Sequence, residues 1–294
     1  MAIFSARPFS ATGRSLPIDP PDVRSPPLSG TSSAPPPYRL EPIAHLSQAG
    51  RWRMEALRAL SEPCLYWITR GQGRVTIGGI QRGYGAHNAL YLPAGIMHGL
   101  EISNTTQGLA LFLGQDHDPS FPAHPHHLRI RDLQDQSELT GLLDNLGRET
   151  CSTRPAAPRA AQHYLGLLSV WLERQIALSP RDDLRGKATR QLVNRFTALV
   201  ERDFRATQSV SDYAMKLRVT PTHLSRACRD ACGRPASDLL QERRLYEARK
   251  LLHDTDMPIK DIAARLGFRS QTYFARSFHS QTGSTPSHFR QTRP

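Results

Sequence analysis

One pattern occurs twice in the last hundred or so residues of this 294-residue chain. Four residues of the first copy match the second copy at an offset of 49, and four more match at an offset of 50 after a short turn. The first set pairs Val210, Asp212, Ala214 and Leu217 with Ile259, Asp261, Ala263 and Leu266; the second pairs Leu224, Arg226, Cys228 and Gly233 with Phe274, Arg276, Phe278 and Gly283. A slip of one residue confined to the turn predicts two copies of one helix-turn-helix unit.

The residues around the two copies predict the rest of a helical domain. Apolar residues recur at helical spacing over Thr189–Phe204, and again over Ala236–His253, which lies between the copies. Asp254–Pro258 interrupts the second of these helices before the second copy begins. The sequence therefore predicts an all-α domain over residues 187–294, in which a long helix links two helix-turn-helix units.

Charge separates this domain from the rest of the chain. The net charge is +12, and residues 187–294 hold 20 basic and 10 acidic residues, whereas residues 1–186 hold 18 and 16. A basic module beside a near-neutral one favours a nucleic-acid-binding domain. No stretch approaches the roughly 20 apolar residues of a membrane helix, and the N-terminus lacks the apolar segment of a signal peptide. We therefore expect a cytoplasmic protein with no membrane partner.

The second helix of each predicted unit has one apolar and one polar face. The N-terminal half of such a helix is the part that enters the major groove of DNA. Arginine can read guanine, glutamine can read adenine, and an alanine or threonine methyl group can contact thymine. We expect eight residues to face DNA, namely Thr222, His223, Ser225, Arg226, Gln271, Thr272, Ala275 and Arg276.

Position within the repeat strengthens the prediction for the two arginines. Arg226 and Arg276 occupy equivalent places in the two copies, which favours groove contact over a solvated charge at each. The basic residues Arg243, Arg244 and Lys260 are suited to contacts with phosphates.

These residues resemble the AraC/XylS family of bacterial transcription regulators. The second copy is similar to the family signature at Ile262-Ala263, Gly267-Phe268, Phe274, Phe278, Gly283, Pro286 and Arg290. The resemblance implies that Ala236–His253 is a linker helix. It also implies that the two units enter successive major grooves of double-stranded DNA, about one helical turn apart. A nucleoid-associated protein in a bacterial cytoplasm follows from it, with RNA polymerase as a partner if the protein is an activator.

Residues 43–118 have a sequence pattern that is typical of a small β domain. Short apolar runs such as Cys64–Ile68, Ala89–Leu92 and Leu109–Leu113 alternate with glycine turns. Pro93-Ala94-Gly95 followed by His98 resembles the cupin-type barrel, and this implies an effector-sensing domain. The residues expected to contact a small-molecule effector are His98, Tyr66, Trp67 and Tyr91, although the last three fit outer packing equally well.

The remaining segments flank this domain. Residues 1–42 are rich in proline and serine, which predicts disorder. Residues 119–186 are expected to be a helical segment followed by a linker, with helices at Asp132–Leu146 and Ala160–Leu178. Their apolar stripes pack either on the chain's own barrel or on a partner subunit in a homodimer.

The combined expectation is a multidomain β + α protein. A cupin-like barrel with trailing helices precedes an all-α DNA-binding domain, and a small-molecule effector in the barrel controls a sequence-specific transcription regulator. No metal, cofactor or catalytic residue is expected, because His98 has no neighbouring histidine to complete a metal set. Two alternatives stay open: a cupin metalloenzyme of dioxygenase or isomerase type with an accessory basic domain, and a constitutive regulator whose barrel only dimerises.

Overall fold

The computed structural model describes residues 38–48, 50–114, 120–150, 152–179 and 188–292. Within these ranges the chain forms eight strands, and two short helices lie between the first strand and the second. Nine further helices follow the last strand. This order confirms the predicted fold class, in which a β domain and trailing helices precede an all-α domain.

Two antiparallel sheets make up the N-terminal domain. Their strands are β1 (Tyr38–Pro42), β2 (Cys64–Arg70), β3 (Gly73–Ile77), β4 (Ile80–Tyr84), β5 (Asn88–Leu92), β6 (His98–Leu100), β7 (Gln107–Leu113) and β8 (His126–Arg129). The strand order is β1-β7-β2-β5-β8 in one sheet and β4-β3-β6 in the other. Side chains from both sheets, among them Tyr66, Val75 and Phe112, meet in one apolar core between them.

The five-stranded sheet extends beyond the range that the sequence indicated. β1 pairs with β7, with Tyr38 opposite Leu113, so the interpretation of residues 1–42 as disordered is wrong for 38–42. Residues 1–37 lie outside the described part of the chain. β8 pairs with β5 and places a strand inside the segment 119–186 that was expected to be helical. Both strands are edge strands, and long-range pairing of this kind leaves no local pattern in a sequence.

Two long helices cover the outer face of the five-stranded sheet. They are α3 (Leu133–Thr150) and α4 (Ala157–Leu178), and each matches a predicted helix within a few residues. Their buried leucines form a second apolar cluster with Trp67, Tyr91 and Leu111 of the sheet. The Tyr38 hydroxyl donates to the Leu146 carbonyl at 2.9 Å and ties the edge strand to α3. The apolar stripes of these helices thus pack on their own domain.

The C-terminal domain is all-α. Its helices are α5 (Ala188–Asp203), α6 (Val210–Lys216), α7 (Pro221–Cys232), α8 (Ala236–Asp254), α9 (Ile259–Arg265), α10 (Gln271–Thr282) and α11 (Pro286–Gln291). The pairs α6–α7 and α9–α10 are the two predicted helix-turn-helix units, and α8 joins them. One apolar cluster, which includes Phe196, Leu224 and Phe274, runs through both units and α8.

The β domain contacts the helical domain along a surface that we call the interdomain seam. On the β side it is formed by α2 (Trp52–Glu55) and residues 56–60, which follow α1 (Ile43–Leu46). Trp52 packs edge-on against Tyr246 of α8, with ring centroids 5.6 Å apart, and against Phe289 of α11 at 6.1 Å. An Arg53–Asp254 ion pair at 2.7 Å completes the contact. The seam therefore joins the β domain to the helix that links the two units.

Candidate nucleic-acid interface and effector site

Both helix-turn-helix units have the same turn geometry. The residue after the first helix adopts a left-handed conformation, with φ of 59° at Arg218 and 73° at Gly267. The second helix begins after an N-cap hydroxyl: Thr220 accepts from the His223 N–H at 3.2 Å, and Ser270 accepts from the Tyr273 N–H at 3.1 Å. The one-residue difference between the copies lies between these two points, as the sequence offsets predicted.

The second helices, α7 and α10, each present a polar surface at their N-terminal half. Leu224, Ala227 and Cys228 are buried on one side of α7, and Phe274 and Phe278 are buried on one side of α10. The opposite sides expose Thr222, His223, Arg226, Gln271, Thr272 and Arg276, whereas Ser225 and Ala275 are half-buried beside them. The structure thus puts the eight predicted residues on two surfaces of one kind.

Sequence reasoning missed two exposed residues at the second of these surfaces, Tyr273 and Arg269. Tyr273 is 59% exposed although it is a large aromatic residue. At the offset of 50 it corresponds to His223, which was included in the predicted set, so the repeat itself carried the signal. Arg269 is also exposed, directly before the N-cap of α10. Both residues lie at the N-terminal end of α10.

The prediction that Arg243 contacts phosphate is wrong. Arg243 is 4% exposed and donates to Glu201 at 2.6 and 2.8 Å, while its Nη1 lies 3.3 Å from Glu247. Arg244 is half-buried and donates to three carbonyl groups between α5 and α6, those of Phe204, Ala206 and Gln208. Of the three basic residues, Lys260 is the exposed one. The two arginines hold α8 against α5 and the loop that follows it.

In the β domain, Tyr66 and His98 lie together in the core between the sheets. Their ring centroids are 6.2 Å apart, and neither residue is more than 1% exposed. The Nδ1–H of His98 donates to the Ile96 carbonyl at 2.9 Å, which leaves Nε2 as an acceptor. Burial, helped by the positive charge of Arg58, lowers the pKa of His98 to about 3, so the imidazole is neutral at pH 7.

Trp67 and Tyr91 lie on the other face of the five-stranded sheet. The Trp67 Nε1–H donates to Thr140 Oγ1 of α3 at 3.1 Å, and Tyr91 stacks on Phe121 with ring centroids 6.0 Å apart. The sheet separates them from His98, so the four predicted effector residues do not line one cavity. Trp67 and Tyr91 instead belong to the packing between the sheet and its helices.

Within the described ranges, no group of three or more His, Cys, Asp or Glu side chains is arranged to hold a metal ion. His127 of β8 lies with Nε2 at 2.6 Å from Asn88 Oδ1. Among the helices that the structure describes, none combines the length and apolar character that crossing a membrane requires.

Comparison with known proteins places this geometry in a family. A family model described as a helix-turn-helix domain matches residues 213–292. A stretch of 99 residues, 34% of this chain, is 31% identical to the transcriptional activator AarP of Providencia stuartii and covers 73% of it. Over 252 residues, 82% of the chain, identity to the transcriptional regulator CdhR of Pseudomonas aeruginosa is 25%, across 70% of that protein. The chain spans only 16% and 43% of two further curated relatives.

A solved structure is similar over most of the chain. The crystal structure of ToxT from Vibrio cholerae covers 86% of this chain and 96% of its own, with 13% identity and a TM-score of 0.41. The matched domain and the relatives define a class, that of helix-turn-helix transcriptional regulators. Within that class, the chain belongs to the AraC family.

Proposed function

We propose that this protein is a sequence-specific DNA-binding transcription regulator and that a small-molecule effector bound in the β domain controls it. The observation that carries the first part is the pair of exposed N-terminal surfaces on α7 and α10, each with one arginine at the equivalent position. Two such helices joined by α8 fit successive major grooves of double-stranded DNA. The protein acts in the bacterial cytoplasm and is nucleoid-associated when bound.

Selection of sequences from a random DNA pool tests this function. The full chain is used, at physiological salt, because phosphate attraction alone gives salt-sensitive binding without sequence preference. We expect enrichment of a motif with two short blocks about ten base pairs apart, one for each unit. Binding that falls with salt and enriches no motif would contradict the proposal.

Effector control is supported by the two buried polar groups in the core between the sheets. His98 Nε2 and Tyr66 Oη are buried; Nε2 has no hydrogen-bond partner among the described residues, and Oη has at most the weakly bonding Cys64 thiol beside it. Such groups cost free energy unless something else satisfies them. An effector that hydrogen-bonds to them would shift the balance between two arrangements of the β domain and the DNA-binding domain. Activators of this kind have RNA polymerase as a further partner.

We propose no catalytic function for the β domain. The relatives are transcription regulators, and among the described residues His98 contacts the Ile96 carbonyl and the Tyr66 ring rather than a second histidine. Metal analysis of the purified protein tests this against the metalloenzyme alternative. A stoichiometric transition metal, retained through dialysis and lost in a His98→Ala variant, would favour an enzyme.

A homodimer is supported by α4. Leu167 is 55% exposed, Val170 is 41% exposed and Leu178 is 75% exposed, and their spacing places them along one side of the helix. An exposed apolar stripe of this kind fits a partner subunit. Sedimentation of the full chain tests the proposal: Leu167→Glu should shift a dimer towards monomer, whereas Arg148→Glu, a charge reversal at an exposed residue of α3, should not. A wild-type chain that is monomeric at micromolar concentration would contradict it.

A further inference from the structure

Arg58 is a buried arginine without an acidic partner. It is 4% exposed, and none of the ion pairs formed by the described residues includes it. Its Nη1 donates to the Met54 carbonyl at 3.0 Å, its Nη2 lies 3.2 Å from the Met54 sulfur, and its guanidinium is 5.7 Å from the ring centroid of Tyr246. A buried cation is costly unless an anion pairs with it. Arg243, by contrast, has two carboxylates at the same degree of burial.

Arg58 lies beside two buried polar groups of the β domain, the Tyr66 hydroxyl and His98 Nε2. Its backbone exchanges hydrogen bonds with His98, at 2.7 and 3.0 Å, so residues 56–60 run along the edge of β6. Burial raises the pKa of Tyr66 well above its ordinary value, and the positive charge of Arg58 opposes that rise. Three polar groups therefore lie near one another at one end of the core between the sheets: the Arg58 guanidinium, the Tyr66 hydroxyl and the His98 acceptor nitrogen.

We propose that Arg58, Tyr66 and His98 bind an effector that carries a carboxylate, a neighbouring hydrogen-bond donor and an apolar body. The proposal rests on effector control as proposed above and names the chemistry of that effector. The carboxylate pairs with the guanidinium, whose planar fork matches its geometry. The Tyr66 hydroxyl donates to the same group, His98 Nε2 accepts from the donor, and the apolar residues of the core take the body.

The site connects directly to the linker helix. The Leu57 N–H donates to Glu242 Oε1 of α8 at 3.2 Å, and the Arg58 guanidinium faces the ring of Tyr246 on the same helix. A carboxylate that draws Arg58 towards the core changes both contacts. Because α8 joins the two helix-turn-helix units, their relative position then depends on occupancy of the site.

Thermal unfolding of the full chain tests the proposal. The probes are α-hydroxy acids of increasing chain length, starting from lactate, each compared at constant ionic strength with the vicinal diol of the same carbon skeleton. We expect the acids to raise the midpoint saturably, by about 4 °C or more above their diols for the best-fitting chain. Arg58→Gln should abolish the difference between acid and diol, and Arg58→Lys should retain part of it.

A second measurement needs no ligand. Arg58→Met removes the unpaired charge and keeps an apolar side chain of similar length, so the protein without probe should unfold at a higher temperature. An Arg58 that only holds residues 56–60 in place would give a lower midpoint, because the Met54 carbonyl then loses its donor. That result, an equal response to acids and diols, or an unchanged response in Arg58→Gln would each overturn the proposal.

The outcome is separable from that of the proposed function. A DNA motif recovered by selection, together with no preference for the acids, rejects the carboxylate site and leaves the regulator intact. A preference for the acids that depends on Arg58, together with no motif, keeps the site and rejects the sequence-specific regulator.

Discussion

Arg226 and Arg276 carry the most specific expectation for DNA binding. Both are exposed near the N-terminal half of their helices, at positions related by the repeat. An arginine that reads a guanine contributes to affinity at one base pair, whereas a phosphate contact contributes at all sequences alike.

Replacing either arginine should therefore weaken specific binding and relax one part of the motif. We expect Arg226→Ala and Arg276→Ala each to cost about 1–3 kcal/mol on the selected operator and much less on unrelated DNA. Fluorescence anisotropy with both DNAs measures the difference. Arg148→Ala removes an exposed arginine of α3 and is the matched control. Equal losses on the two DNAs would mean that the arginines contact phosphates only.

The two turns offer a matched pair of backbone changes. Arg218 and Gly267 are equivalent and both left-handed, but only glycine adopts that conformation without steric cost. A Cβ at Gly267 would also lie 2.9 Å from the Ala206 carbonyl oxygen. We expect Arg218→Gly to raise the free energy of unfolding by about 0.5 kcal/mol and Gly267→Ala to lower it by about 1–2 kcal/mol. Chemical denaturation measures both, and changes of the same sign would contradict the equivalence.

Helix α8 is held by a buried charge network rather than by apolar contacts alone. Arg243 lies between Glu201 and Glu247, and Arg205 donates to Glu247 at 2.8 Å. Burial by itself raises the pKa of Glu247, but the hydrogen bond from Arg205 and the charges of Arg243 and Arg205 outweigh it. The pKa of Glu247 is therefore below its ordinary value of 4.5.

This network predicts a specific loss of stability in acid. Because the folded state lowers the pKa of Glu247, its contribution is complete above the unfolded pKa and is lost as the pH falls below about 4.5. Glu247→Gln should cost about 2 kcal/mol at pH 7 and should reduce the pH dependence between about pH 5 and 3. Urea unfolding across that range measures it. A variant with the same slope as wild type would show that other carboxylates account for the acid transition.

The interdomain seam determines whether the chain behaves as one cooperative unit. Trp52 is its central aromatic residue, between Tyr246 and Phe289, and the Arg53 and Arg249 guanidinium groups lie 5.0 and 5.8 Å from its ring. Large aromatic residues dominate the energetics of such contacts. Removing this one should weaken the link between the β domain and α8 more than it weakens either domain.

We expect Trp52→Ala to cost about 2 kcal/mol and to split thermal unfolding into two calorimetric transitions. Leu133→Ala, at an exposed site at the start of α3 away from the seam, should leave a single transition at the wild-type temperature. A single transition in Trp52→Ala, at an unchanged midpoint, would show that the domains are coupled elsewhere, for example where the Gly78-Gly79 turn meets Val193 of α5.

The helical domain was predictable because its signals are local and occur twice. Helical spacing, N-cap hydroxyls and the glycines after α7 and α10 fix each element within a few residues, and the offset between copies located the turn. The polar faces followed from the same periodicity. Most strands of the β domain were likewise recognised from short apolar runs between glycines.

Other features depend on which residues meet across the fold. Every residue from Cys64 to Ile68 is buried, so β2 is apolar on both faces, and alternation could not say that Tyr66 points to the core and Trp67 to α3. Arg243 reads as a surface cation until Glu201 is brought beside it from 42 positions away. Arg58 becomes notable only because tertiary packing buries it without a carboxylate. The sequence by itself determined the helices, the repeat and the polar faces of α7 and α10, since these depend on neighbours within a few positions. Tertiary structure alone decided burial, charge pairing and the placement of Arg58 beside Tyr66 and His98, since these depend on partners that are distant along the chain.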